Sequence, residues 1–195
     1  MASGKVNSSP REGSPAAHSR RVFLGLAAAG LAATAGRPAL ASLVAPGRAE
    51  RKLSFYNVHT GESLRVAYWA GGTWNEDGLH EIDRVLRDFR TGDVAAIDPN
   101  LIDLLFRLSA RLDNDQPFHV ISGYRSPKTN AALASQSDGV AKQSLHMQAM
   151  AIDIRLPGTR LADLRRAAIG LKSGGVGYYP NSDFVHVDTG RVRTW

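Results

Sequence analysis

The chain has 195 residues, with 24 Lys plus Arg against 18 Asp plus Glu, six His and no Cys. That length suits one ordinary globular domain. The absence of cysteine excludes a disulfide scaffold, a thiol nucleophile and any cysteine-ligated zinc or iron-sulfur site, so metal chemistry must rest on His and carboxylates.

In chain order, a polar stretch over residues 1–19 leads into Arg20-Arg21-Val22-Phe23-Leu24 and a Gly/Ala/Leu run to Ala35. This pattern predicts a twin-arginine export signal over 1–41, with Ala39-Leu40-Ala41 as the small-x-small site for cleavage before Ser42. The apolar run is too short to span a bilayer as an ordinary helix. Residues 1–41 hold five of the basic residues and one acid, so the mature part carries 19 basic and 17 acidic residues. A net charge of +2, without a basic run interleaved with aromatics, argues against a nucleic-acid partner.

Residues 42–51 read as a linker and 52–195 as the working domain. Leu53 to Val58 and Leu64 to Trp69 are β-rich runs around His59-Thr60-Gly61-Glu62, the pattern of a hairpin, and Gly71-Gly72-Thr73 breaks it. Leu79, Ile82, Leu86 and Phe89 recur at helical spacing over 79–89. Asp98-Pro99 then opens a second helix as N-cap and first residue, with Leu101, Leu104, Leu105 and Leu108 as its buried stripe. Short strands are predicted at 118–122, 151–156, 175–179 and 184–188, and helices at 127–135 and 161–171. Strands and helices without a regular βαβ repeat predict an α+β fold with a small antiparallel β-sheet flanked by helices.

The chemistry concentrates in two segments, Ser144-Leu145-His146-Met147-Gln148 with Ala151-Ile152-Asp153-Ile154-Arg155-Leu156, and Asp183-Phe184-Val185-His186-Val187-Asp188. Strand alternation puts Ile152, Ile154 and Leu156 on the core face, with Asp153 and Arg155 opposite; His186 likewise points away from Val185 and Val187. Two imidazoles (His146, His186) and one carboxylate (Asp153) suffice for a catalytic zinc, which keeps one position for water. Asp183 is the candidate base. Strand parity sets Asp183 and His186 on opposite faces, so this role requires a turn or bulge at the strand start. On the same evidence each of these residues also has a structural reading, as a hydrogen-bonded histidine or a capping aspartate.

The motifs Ser122-Gly123-Tyr124-Arg125-Ser126, Ser144-x-His146 with Asp153 seven residues on, and Asp183-x-x-His186 closely resemble the D-Ala-D-Ala zinc metallopeptidases, in their murein-endopeptidase branch. The resemblance covers about residues 50–195. It implies the fold shared with lysostaphin-type enzymes and the hedgehog N-domain, one zinc held by His146, Asp153 and His186, Asp183 as acid/base, and Arg125 polarising the scissile carbonyl. It further implies a periplasmic enzyme, expected as a monomer, acting on peptidoglycan stem-peptide cross-links, with those between two diaminopimelate residues preferred. Ala149 stands where the family commonly has Gly, harmless if its φ is negative, and Asp183 where relatives carry Glu. Ser144, Gln148 and Tyr178 are candidates for substrate contact, and Asp188 for supporting an imidazole. Rival readings are a non-catalytic wall-binding module and a D,D- or L,D-carboxypeptidase.

Overall fold

The computed structural model describes residues 50–136 and 141–195. The export signal expected over 1–41 and most of the linker lie outside the described residues. Arg51, expected in the linker, already pairs with Trp69. Among the described residues, no helix is long and apolar enough to cross a membrane.

Strands β1 (Arg51–Asn57) and β2 (Ser63–Ala70) form the expected antiparallel hairpin, closed by Asn57 N–H donating to Glu62 O at 2.9 Å. A two-residue strand β3 (Thr73–Trp74) follows the Gly71-Gly72 turn and pairs back on β2 where the sequence reads as a break. Helix α1 (Glu76–Val85) is capped by the Asn75 side chain, which accepts from Gly78 N–H. It ends earlier than its apolar spacing predicts: Leu86 closes it, and Phe89 leaves the helix to stack on His59 with ring centroids 3.8 Å apart. Helix α2 (Pro99–Leu112) starts as expected at the Asp98 cap, whose carboxylate accepts from Asn100 N–H at 2.9 Å.

The remaining elements are β4 (Phe118–Ser122), α3 (Pro127–Ala134), β5 (Ala151–Arg155), α4 (Leu161–Leu171), β6 (Gly175–Tyr179), β7 (Phe184–Asp188) and β8 (Arg193–Thr194). The eight strands of the described residues lie in one sheet of order β3-β2-β1-β4-β5-β7-β6-β8. The fold is α+β as expected, but the sheet is larger than expected and mixed, since β1–β4 and β6–β8 run parallel. The cause of the first is topological: α1 and α2 carry the chain over the sheet and return it beside β1 in the same direction.

Alternation then separates two faces. Phe55, Phe118, Val120, Ile152, Ile154, Val185 and Val187 are fully or almost fully buried on one face, with Leu101, Leu105 and Leu108 of α2 and Leu164 of α4. Each such side chain stabilises the fold by ~1.5–3 kcal/mol through removal from water. Asp153 and His186, one residue out of phase, project from the other face. The helical layer therefore fixes the sheet, and the sheet fixes the spacing of the polar side chains behind it.

Candidate active site

Asp153 on β5 and His186 on β7 are direct cross-strand partners. The shared ladder sets their side chains side by side, and Asp153 Oδ1 lies 2.8 Å from His186 Nδ1. His146 comes from a 3₁₀ turn, Leu145–Gln148, capped by Ser144 Oγ, which accepts from His146 N–H at 3.3 Å. Its Nε2 stands 3.3 Å from Asp153 Oδ1 and 3.2 Å from His186 Nδ1. All three residues are buried, and their three facing atoms form a group able to hold a metal ion.

The outer ring nitrogens fix the tautomers. His146 Nδ1 is 2.7 Å from Gly123 O, an acceptor only, so the ring donates there and presents Nε2 unprotonated when neutral. His186 Nε2 is 3.1 Å from Asp188 Oδ2, so it donates there and presents Nδ1. A tetrahedral zinc shell with bonds of about 2.0–2.1 Å sets ligand atoms about 3.3 Å apart, close to the spacings here. The donor set fits a zinc-type cation.

Asp188 is wholly buried and carries more than His186: Gly175 N–H and Gly190 N–H each donate to Oδ1 at 2.8 Å, and Arg193 Nη2 donates to Oδ2 at 2.8 Å. Burial disfavours its charge, but the hydrogen bonds from His186 and Arg193 outweigh this and hold its pKa far below the usual carboxylate range. Asp153 behaves alike: burial opposes its ionisation, the neighbouring His146 and His186 favour it, and its pKa is strongly lowered. For His186 burial opposes charge, yet the bonds to Asp153 and Asp188 raise its pKa to about 8.

Arg125 approaches from the loop after β4. Tyr124 N–H donates to Leu86 O at 2.8 Å, and Ser126 N–H to buried Asp88 at 2.9 Å, pinning this loop to the end of α1. Burial raises the Asp88 carboxyl's pKa, but the hydroxyls of Thr129 and Ser126 and two backbone N–H groups win, bringing it to about 2. Arg125 Nη2 lies 3.8 Å from Asp153 Oδ2, and its buried Nε has no hydrogen-bond partner among the described residues. Burial lowers the pKa of its guanidinium, opposed by Asp153.

Arg125, His146, Asp153 and His186 line a cavity of about 430 Å³ together with Ser144, Tyr179, Phe184, Arg193 and Trp195. Four expectations are corrected here. Tyr178 pairs with Val185 and packs towards the core, under the Arg165 guanidinium at 4.9 Å, so Tyr179 lines the cavity in its place. Gln148 is exposed at the end of its turn and does not line the cavity. Ala149 has φ +55°, not negative, and its methyl is buried in the core, so it adopts a conformation glycine takes more easily. Asp183 does sit in a turn before β7, with φ +52°, meeting the geometric condition for reaching the strand's polar face. Its carboxylate nevertheless accepts from Arg155 Nη1 at 2.8 Å and lines a neighbouring cavity, away from the three facing atoms.

The sequence reading also missed Arg193 and Trp195. Trp195 N–H donates to Val176 O at 3.2 Å, the indole covers Gly177 where any Cβ would meet the ring at 2.7 Å, and its centroid lies 5.3 Å from that of His186. The Trp195 Nε1–H donates to Tyr179 Oη at 2.7 Å. The sequence carries no signal for either, because β8 has two residues, too few for a period. None of His59, His80 and His119 joins the group.

A family model described as peptidoglycan L,D-endopeptidase MepK matches residues 45–195. The chain belongs to the MepK peptidase family. It is 42% identical over 177 residues to peptidoglycan L,D-endopeptidase MepK of Escherichia coli (strain K12), covering 90% of this chain and 96% of that protein. The probable peptidoglycan L,D-endopeptidase MepK of Haemophilus influenzae is 43% identical over 146 residues, 74% of this chain and 78% of that one. In this MepK-family chain the matched region contains every residue of the site described above.

Proposed function

We propose that the chain is a zinc-dependent peptidoglycan endopeptidase that hydrolyses amide bonds in stem-peptide cross-links. The observation that carries this reading is the convergence of His146 Nε2, His186 Nδ1 and Asp153 Oδ1 at 2.8–3.3 Å in an open cavity of a MepK-family chain. These three side chains would hold one zinc ion. When bound, zinc lowers the pKa of a coordinated water towards neutrality and draws electrons from a carbonyl oxygen.

The protein's own groups do the rest. Gly123 O and Asp188 keep both imidazoles in the ligating tautomer. Arg125, charged and held in the cavity beside Asp153, stabilises negative charge developing on the scissile carbonyl oxygen. Asp183 takes the proton of the attacking water and returns it to the leaving amine, which requires its carboxylate to leave Arg155. Tyr179, Phe184 and Trp195 supply an apolar wall for the peptide. The twin-arginine pattern at Arg20-Arg21 supports export, cleavage before Ser42 and action in the periplasm; the protein works there as a monomer, and membership of the MepK family supports peptidoglycan as its partner.

Mass spectrometry of sacculi digested by the zinc-loaded mature protein tests the reading. Cross-linked dimers should fall and uncross-linked stems rise, and chelator should abolish both changes. Retention on sacculi without new products would instead indicate a binding module, and loss of single terminal amino acids a carboxypeptidase.

A further inference from the structure

The polar face that carries Asp153 continues along β5 to Arg155, two strand residues or about 7 Å away, and across to its partner His119 on β4. There a second cavity of about 310 Å³ is lined by His119, Arg155, Pro157, Thr159 and Asp183. Asp183, which lines it, stands between Ser182 and Phe184, which line the first cavity, and the Arg155–Asp183 pair ties up the carboxylate that the reaction needs.

That pair is of an exchangeable kind. Asp183 makes a single 2.8 Å bond to Arg155, and the two side chains are 63% and 38% exposed. Ion pairs so open to water contribute little, because water and other ions compete for both partners. Asp183 also lies between a 3₁₀ turn and β7, where its carboxylate is held by nothing but Arg155 among the described residues. The guanidinium, by contrast, is carried on a strand paired on both sides. A second anion can therefore take Asp183's place without disturbing the sheet.

We propose that Arg155 is a specificity-determining residue that binds a free carboxylate of the stem peptide beside the scissile amide. The incoming carboxylate displaces Asp183 from Arg155, so recognition of an acidic cross-link releases the base at the moment the peptide is in place. A peptide whose corresponding group is a neutral carboxamide leaves Asp183 engaged. This inference rests on the assignment of Asp183 and of the endopeptidase activity above, and it adds the chemical class of substrate and the residue that reads it.

The test uses two cross-linked peptides that differ in one group, a free carboxylate or a carboxamide next to the scissile bond. Zinc-loaded wild-type protein should favour the carboxylate form in kcat/KM by about two- to fivefold, the worth of one exposed ion pair, and Arg155→Met should bring the ratio close to one. Calorimetric titration of the uncross-linked product, again in both forms, gives a readout that does not depend on turnover. Wild type should bind the carboxylate product more tightly than the carboxamide, Arg155→Met should lose the difference, and Asp183→Asn, lacking the competing carboxylate, should bind it more tightly than wild type. Equal affinities for the two products in wild type, or a preference that survives Arg155→Met, would overturn the proposal. Failure of wild type to cut either peptide would overturn the endopeptidase reading, while turnover by Asp183→Asn at the native rate would remove Asp183 as base; the titrations decide the role of Arg155 in both cases.

Discussion

Replacing Asp188 by asparagine probes the support of the metal group without touching any of its three members. In the native chain Oδ1 accepts from Gly175 and Gly190 N–H, and Oδ2 from His186 Nε2 and Arg193 Nη2. Asparagine has one oxygen and one NH₂ for these positions. With the oxygen kept on the two backbone donors and Arg193 Nη1, the NH₂ faces Arg193 Nη2, which keeps its proton, and the proton on His186 Nε2, a clash the ring relieves by moving that proton to Nδ1. Nδ1 is the atom 2.8 Å from Asp153 and 3.2 Å from His146, so the move places a proton where the ion must bind. The reverse amide orientation sets NH₂ against two backbone donors and gains nothing. Loss of such an outer hydrogen bond costs about 10–100-fold in metal affinity, or ~1.4–2.7 kcal/mol. At about pH 9, where the His186 ring is neutral, competition with a chromogenic chelator measures the affinity, and nitrogen NMR of His186 reads the tautomer. Zinc affinity within about threefold of wild type, with the proton still on Nε2, would mean that Asp188 does not set the His186 tautomer.

Three further outcomes are expected. Asp183→Asn should leave zinc affinity within about twofold while lowering turnover by about 10²–10⁴-fold, the usual worth of a general base, read by muropeptide cleavage beside metal titration. Because His186 in the metal-free protein has its pKa raised to about 8 from 6.5, zinc must displace a proton below that pH. Apparent affinity should then rise about tenfold per pH unit up to about 8 and level off above it; the same proton stabilises the metal-free fold fully below 6.5 and ceases to as pH rises through 8. Gly123→Ala would bring a Cβ within 2.3 Å of Leu86 O, displacing the carbonyl that holds His146 Nδ1. It should cost about 1–3 kcal/mol in denaturant unfolding and weaken zinc binding together, whereas an effect on stability alone would mean that Gly123 O does not orient His146.

The parts of the site written in strand parity were legible in the sequence. Asp153, His186 and Asp188 alternate with Ile152, Ile154, Val185 and Val187, so the face of each followed from its neighbours, and the β5–β7 register then made Asp153 and His186 partners. Parity could not choose between Tyr178 and Tyr179, because which of two adjacent tyrosines faces the core depends on how β6 pairs with β7. Gln148 lies in a 3₁₀ turn, where neither strand nor α-helix spacing tells which way a side chain points. Strands β3 and β8 have two residues each, too few for a period, so Arg193 and Trp195 gave no sign of returning to the site. The Asp183 to Arg155 pair joins residues 28 apart through a left-handed turn, and only the fold brings them together.

Anomalous diffraction from crystals of the mature protein grown with zinc should locate one ion per chain, about 2.0–2.2 Å from His146 Nε2, His186 Nδ1 and an Asp153 carboxylate oxygen. An ion bound elsewhere on the protein, or ligated through His186 Nε2 with Asp188 turned away, would mean that these three atoms do not form the metal site.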